Sequence, residues 1–172
     1  MFFKLLLSVL MVFLMGCQED LMPSNNPIES NSFAGKKGNT LDDISMQSTD
    51  GSALHLSTLL NEHDGVVLYF TMWCPVCDSH MSHIQNQYIT TYPNIKFVFI
   101  DYIASSLNQA KNNQQANGYQ ALDVVSDASG ELQTLFKGTM ATTVIIDKNF
   151  IVRLNQTYPN DQTFSHALEQ LK

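Results

Sequence analysis

Arginine occurs once in this 172-residue chain, at Arg153, and nine Lys and Arg together face sixteen Asp and Glu, for a formal net charge of −7. No basic cluster forms along it, which argues against nucleic acid or an anionic membrane surface as a partner. Cysteine is scarce too. Cys17, Cys74 and Cys77 are too few for a fold stapled by disulfides. No apolar run approaches the roughly 20 residues of a spanning helix. Hydrophobic residues are nevertheless 44% of the chain and charged ones only 15%, the composition of a globular domain with a real core.

The first residues stand apart. Met1–Lys4 carries one positive charge, Leu5–Leu14 is apolar except for Ser8, and the run ends in Leu14-Met15-Gly16-Cys17. A charged start, a short apolar stretch and a small residue form a signal peptide, and the ending resembles the lipobox of bacterial lipoproteins, with Met15 larger than the usual occupant. Residues 1–16 are expected to be removed and Cys17 to be lipidated as the new first residue. Its acyl chains would hold the protein to a lipid bilayer at about 0.8 kcal/mol per buried methylene. Gln18, rather than Asp, after that cysteine favours the outer membrane facing the periplasm in a Gram-negative host. Residues 17–40, with Pro23, Pro27, Gly35, Gly38 and no hydrophobic period, are expected to form a tether to a domain over 41–172.

From residue 41 strands and helices alternate. Val66–Phe70 is a continuous β-branched and aromatic run, as in buried strands, and Ile95–Ile100 reads as a second buried strand. Between them Pro75–Thr90 reads as a helix, with Cys77, Met81, Ile84 and Tyr88 on one stripe. Shorter strands are expected at Ile44–Ser48 and Asp123–Val125. Helices are expected at Leu56–Leu60, Ser106–Ala116, Glu131–Phe136 and Thr163–Leu171. A hairpin, Val144–Ile146 with Ile151–Asn155, closes over Asp147-Lys148-Asn149. This order predicts an α/β/α sandwich around a mixed sheet.

The chemistry concentrates where the first buried strand meets its helix, at Trp73-Cys74-Pro75-Val76-Cys77. A cysteine at a helix start faces unpaired N–H groups and the positive end of the macrodipole, which favour its thiolate. Pro75 suits the first turn, because no helical partner awaits its missing N–H. Cys77, one turn deeper, can close a disulfide with Cys74. Cys74 is therefore the expected nucleophile and Cys77 the resolving thiol.

These residues resemble the thioredoxin superfamily, and in particular its TlpA/ResA-like extracytoplasmic thiol–disulfide oxidoreductases. Gly51–Leu60 is similar to that subgroup's D-G-x-x-x-x-L-S-x-L segment, and Gly138–Asp147 to its G-T-P-T-T-x-x-I-D. The resemblance covers about residues 41–172. It implies a thioredoxin-like fold, no organic cofactor or resident metal, and disulfide exchange with thiols of exported proteins, fed by a membrane thiol donor. It also places Trp73, Pro75, Val76, Met140, Ala141 and Thr142 around the substrate.

Three positions depart from the pattern. Ala141 stands where the family has its cis-proline, with Met140 in the slot whose backbone meets substrate. Leu68 replaces the buried acidic group beneath the dithiol. His80 replaces a Glu three residues after the second cysteine, roughly 60° round the helix from Cys77, where an imidazole could modulate the dithiol near neutral pH. With no neighbouring cation and with Asp78 close by, a moderately reducing couple is expected. An alternative is a copper or zinc site built on Cys74, Cys77 and His80. A peroxidase reading rests on Thr71-x-x-Cys74, but Arg153 is the only candidate to activate such a thiolate.

Overall fold

The computed structural model describes residues 33–171. Seven strands form one mixed sheet: β1 (Ser45–Ser48), β2 (Ala53–His55), β3 (Gly65–Thr71), β4 (Ile95–Asp101), β5 (Val124–Ser126), β6 (Thr142–Asp147) and β7 (Val152–Thr157). Their spatial order is β2-β1-β5-β4-β3-β6-β7. β3 lies inside the sheet with every residue buried, parallel to β4 in unbroken register from Gly65↔Ile95 to Thr71↔Asp101 and antiparallel to β6. Apolar side chains at each successive position can therefore fill both faces.

The alternation of β3 divides the core. Val67 and Tyr69 join Met81, Ile84, Tyr88, Phe164 and Leu168 on one face, whereas Val66, Leu68 and Phe70 join Leu56, Leu59, Leu132 and Phe136 on the other. Helices α2 (Pro75–His83) and α5 (Asp161–Glu169) thus cover one face, and α1 (Leu56–Glu62) and α4 (Glu131–Phe136) cover the other. Burying each large apolar side chain contributes about 1.5–3 kcal/mol. Helix α3 (Leu107–Ala116) starts at the cap Ser106, whose hydroxyl accepts from the Gln109 N–H, and the chain turns after it at Gly118, φ +80. This is the layered α/β/α fold the sequence indicates.

Four details differ from expectation. The helix expected over Pro75–Thr90 widens to π geometry at Ile84–Ile89, with Ile84 and Tyr88 still buried. Hydrophobic spacing alone cannot reveal that change of register. Strand β2 was not expected. It is a three-residue edge strand, mostly exposed, held to β1 by backbone pairing rather than an apolar stripe. The last helix starts two residues early, because the Asn160 side chain caps it by accepting from the Thr163 N–H. The domain also begins earlier than expected. Gly35 donates to Leu135 O, Gly38 to Val152 O, and Thr40 bridges Ile151, so residues 33–40 belong to the domain. Polar composition concealed this, since the docking uses backbone groups. Residues 1–32, including Cys17 and the rest of the expected leader and tether, lie outside the described residues.

Candidate active site

The end of β3 delivers Cys74 to the start of α2. Trp73 takes a left-handed turn (φ +59), its N–H donating to Thr71 Oγ1, and Cys74 becomes the extended cap residue with Pro75 in the first helical turn. The Cys74 sulfur accepts from the Cys77 N–H at 3.3 Å and lies 3.0 Å from the Cys77 sulfur; both cysteines are free thiols. The Cys77 thiol, first, and then the Cys77 and Val76 N–H groups hold the Cys74 pKa below its ordinary value. Exposure separates the two roles: Cys74 is partly accessible, while Cys77 is fully buried.

Trp73 is anchored from β4. Its indole Nε1–H donates to Asp101 Oδ2 at 2.7 Å, and Asn113 Nδ2 donates to the same oxygen at 2.9 Å. Asp101 Oδ1 accepts from the Ile103 and Ala104 N–H groups. The fully buried carboxylate therefore both caps the loop and fixes the indole beside the nucleophile. Asp101 ends a parallel strand, and that position was its only signal in the sequence.

The loop after α4 forms the facing wall. Gly138 passes so close to Phe70 that an added Cβ would lie 2.2 Å from its ring. The Thr142 N–H closes a turn on Thr139 O, with Ala141 at its third position in the left-handed region, φ +64. All described peptide bonds are trans, so the Met140–Ala141 bond does not copy a cis-proline bend. The Ala141 N–H donates to Phe70 O at 3.0 Å, which ties the loop to β3. Met140 projects its sulfur to 3.6 Å from Cys74 Sγ. The Thr142 side chain is buried and accepts from the Thr139 N–H, so it shapes the loop from within. Val76 (50% exposed) and Met140 (39%) join Met72 and Ile103 as the large exposed hydrophobics among the described residues. All four lie in the loops and first helical turn at the dithiol end of the sheet.

The hydrogen bond of His80 runs to Tyr69 rather than to a sulfur. Its Nδ1 lies 3.0 Å from the Tyr69 hydroxyl, and its ring stacks on Tyr158 with centroids 3.9 Å apart. Burial, and then the charge of His83, lower the His80 pKa. Tyr69 is the residue that sequence reading missed. Burial, followed by the charge and hydrogen bonding of Cys77, pushes its pKa far up, so its hydroxyl stays protonated between His80 and Cys77. It reads as one more aromatic in a buried strand, and no sequence signal distinguishes it.

Arg153 sits at the other end of the sheet. It pairs with Asp147, which is opposite Gly65 at the start of β3, roughly 20 Å of strand from Thr71 at about 3.3 Å per residue. It cannot activate the Cys74 thiolate.

A mixed sheet between helices, with an asymmetric dithiol at the N-terminus of the helix after its central strand, defines a redox-active protein of thioredoxin-like fold. The chain belongs to the AhpC/TSA family, whose model matches residues 37–155. It is similar to a solved structure from Bacteroides thetaiotaomicron assigned as a protein disulfide isomerase, at 20% identity and TM-score 0.65, covering 81% of this chain and 89% of that one. A Chlorobium tepidum structure assigned as the thiol:disulfide interchange protein DsbE shares 22% identity, TM-score 0.61, over 79% and 94%. The peroxidoxin BcpB from Mycobacterium tuberculosis also shares 22%, TM-score 0.59, over 79% and 96%. At these identities the likeness establishes the fold alone. Among curated proteins no sequence matches significantly.

Proposed function

We propose that the chain is a thiol–disulfide oxidoreductase acting on cysteines of exported proteins through its Cys-Pro-Val-Cys dithiol. One observation carries this reading: two free sulfurs 3.0 Å apart, one accessible with a lowered pKa and the other buried. In the reducing direction the Cys74 thiolate attacks a substrate disulfide, forming a mixed disulfide and expelling one substrate thiolate. Cys77, after losing its proton, attacks the Cys74 sulfur, closes Cys74–Cys77 and releases the second thiolate. Two electrons pass to the substrate, and an external thiol donor restores the dithiol. The exposed apolar collar of Val76, Met140, Met72 and Ile103 supports docking of an unfolded or extended polypeptide. We place the couple as moderately reducing, because the groups that lower the Cys74 pKa most are the Cys77 thiol and N–H rather than a cation; equilibration against glutathione measures that directly. Full-length chain supplied with a thiol donor should reduce a protein disulfide substrate far faster than hydrogen peroxide, and the opposite preference would move the chain to the peroxidase side of its family.

His80 enters this reading as a positioning residue, not a catalytic one. In the neutral tautomer that carries its proton on Nε2, Nδ1 accepts from Tyr69, whose hydroxyl is coupled to Cys77, giving the resolving thiol a route for its proton. Protonated imidazole closes that route. Since the His80 pKa lies below its ordinary value of about 6.5, resolution of mixed disulfides should slow as the pH falls below that value. Stopped-flow release from a preformed mixed disulfide reads this acid limb. His80→Gln should lack it, and an identical limb in that variant would remove His80 from the mechanism.

The lipoprotein reading rests on Leu14-Met15-Gly16-Cys17. Metabolic labelling with a fatty acid should mark the wild-type chain and not Cys17→Ser. Equal labelling of both would end the proposal of an envelope anchor facing the periplasm.

A further inference from the structure

The nucleophilic dithiol has a third sulfur beside it. Met140 Sδ, from the turn between α4 and β6, lies 3.6 Å from Cys74 Sγ, and Cys77 Sγ lies 3.0 Å from Cys74 Sγ. Sulfurs that share one ion through bonds of about 2.3 Å lie no more than about 4.6 Å apart, and both separations fall inside that limit. The point is open to solvent, since Met140 is 39% exposed and Cys74 is partly accessible. Met140 is unbranched, and its three rotatable bonds let the thioether swing over both thiolates.

The ligand set sorts the ion. Thiolate and thioether are soft donors and favour Cu(I), which accepts low coordination numbers, whereas Zn(II) takes four ligands. The imidazole that sequence spacing offered is committed elsewhere, with His80 Nδ1 against Tyr69 and its ring on Tyr158. Among the described residues no group of three or more His, Cys, Asp or Glu side chains could hold a metal ion. Carboxylate and imidazole ligands are thus missing from this point, and the sulfurs are present.

We propose that the reduced protein binds one Cu(I) ion through Cys74, Cys77 and Met140. Binding breaks two S–H bonds, releases two protons and forms two copper–thiolate bonds plus one dative thioether bond. Copper stays in the +1 state and no electron moves. The oxidised dithiol has no thiolates to offer, so closing Cys74–Cys77 ejects the ion, and copper loading and disulfide exchange exclude one another. The proposal shares the dithiol and the Met140 side chain with the exchange reading. Copper is measured without any disulfide substrate, so either can fail alone.

The test is an anaerobic titration of the reduced full-length chain, in detergent, with Cu(I) against a chromophoric Cu(I) chelator, followed by X-ray absorption. One ion per chain and three sulfur neighbours are expected. Met140→Leu should leave two sulfurs and weaken affinity by about tenfold or more, because even loss of an outer-shell partner costs roughly 10–100-fold. His80→Ala should bind as the wild type does. Unchanged affinity and sulfur count in Met140→Leu, or a loss in His80→Ala matching that in Met140→Leu, would overturn the three-sulfur site.

Discussion

Cys74→Ser should lower disulfide reductase turnover by about 10³-fold or more, since a hydroxyl held at that helix start supplies no thiolate to attack sulfur. Cys77→Ser should behave differently. It retains the accessible sulfur and the backbone N–H of residue 77 that points at it, so the first attack survives and the reaction stops at the mixed disulfide. The Cys77 thiol is the largest cause of the lowered Cys74 pKa. Its removal should therefore raise the Cys74 titration toward the ordinary cysteine value, and the pH dependence of alkylation measures that shift. Similar behaviour of the two variants in both assays would contradict the division of labour.

The second large effect concerns the loop that faces the dithiol. Family resemblance alone suggests that Ala141→Pro would restore a lost proline and raise activity. The structure reverses that expectation. Ala141 has φ +64, where proline is locked near −65°, and its N–H donates to Phe70 O, a bond proline cannot make. The substitution should cost about 3 kcal/mol or more and displace Met140 from Cys74, with loss of reductase activity. Ala141→Gly should be close to neutral in stability. Relief of a left-handed alanine contributes about 1–2 kcal/mol, and loss of a buried methyl offsets about 0.8 kcal/mol of it. Chemical denaturation of the two variants against wild type checks both signs. A proline variant as stable and active as wild type would mean that the loop adopts another backbone.

The contrast shows which parts of the molecule were legible beforehand. β3 and β4 could be read because burial on both faces leaves mostly apolar stretches, Val66–Phe70 and Phe97–Ile100. The dithiol could be read because a helix start, a proline in the first turn and two cysteines one turn apart serve one chemical purpose. Strand β2 and the docked residues 33–40 could not, because backbone hydrogen bonds hold them and leave no mark on side-chain pattern. The place of His80 on its helix is legible, but the partner of its ring is not. Spacing gives its angle round α2, but the Tyr69 hydroxyl arriving from β3 is what takes its Nδ1. Ala141 was aligned to the family proline by its flanking Thr142 and Thr143, and that alignment carried a backbone geometry the loop does not have.

The most direct measurement is the trapping of full-length Cys77→Ser with a disulfide-bonded peptide, followed by mass spectrometric mapping of the adduct. A stable mixed disulfide on Cys74 is expected, resolved at once when the wild-type chain is used, with no comparable adduct on Cys77 in Cys74→Ser. An adduct that forms equally well on Cys77, or no adduct on Cys74 at all, would contradict the assignment of Cys74 as nucleophile.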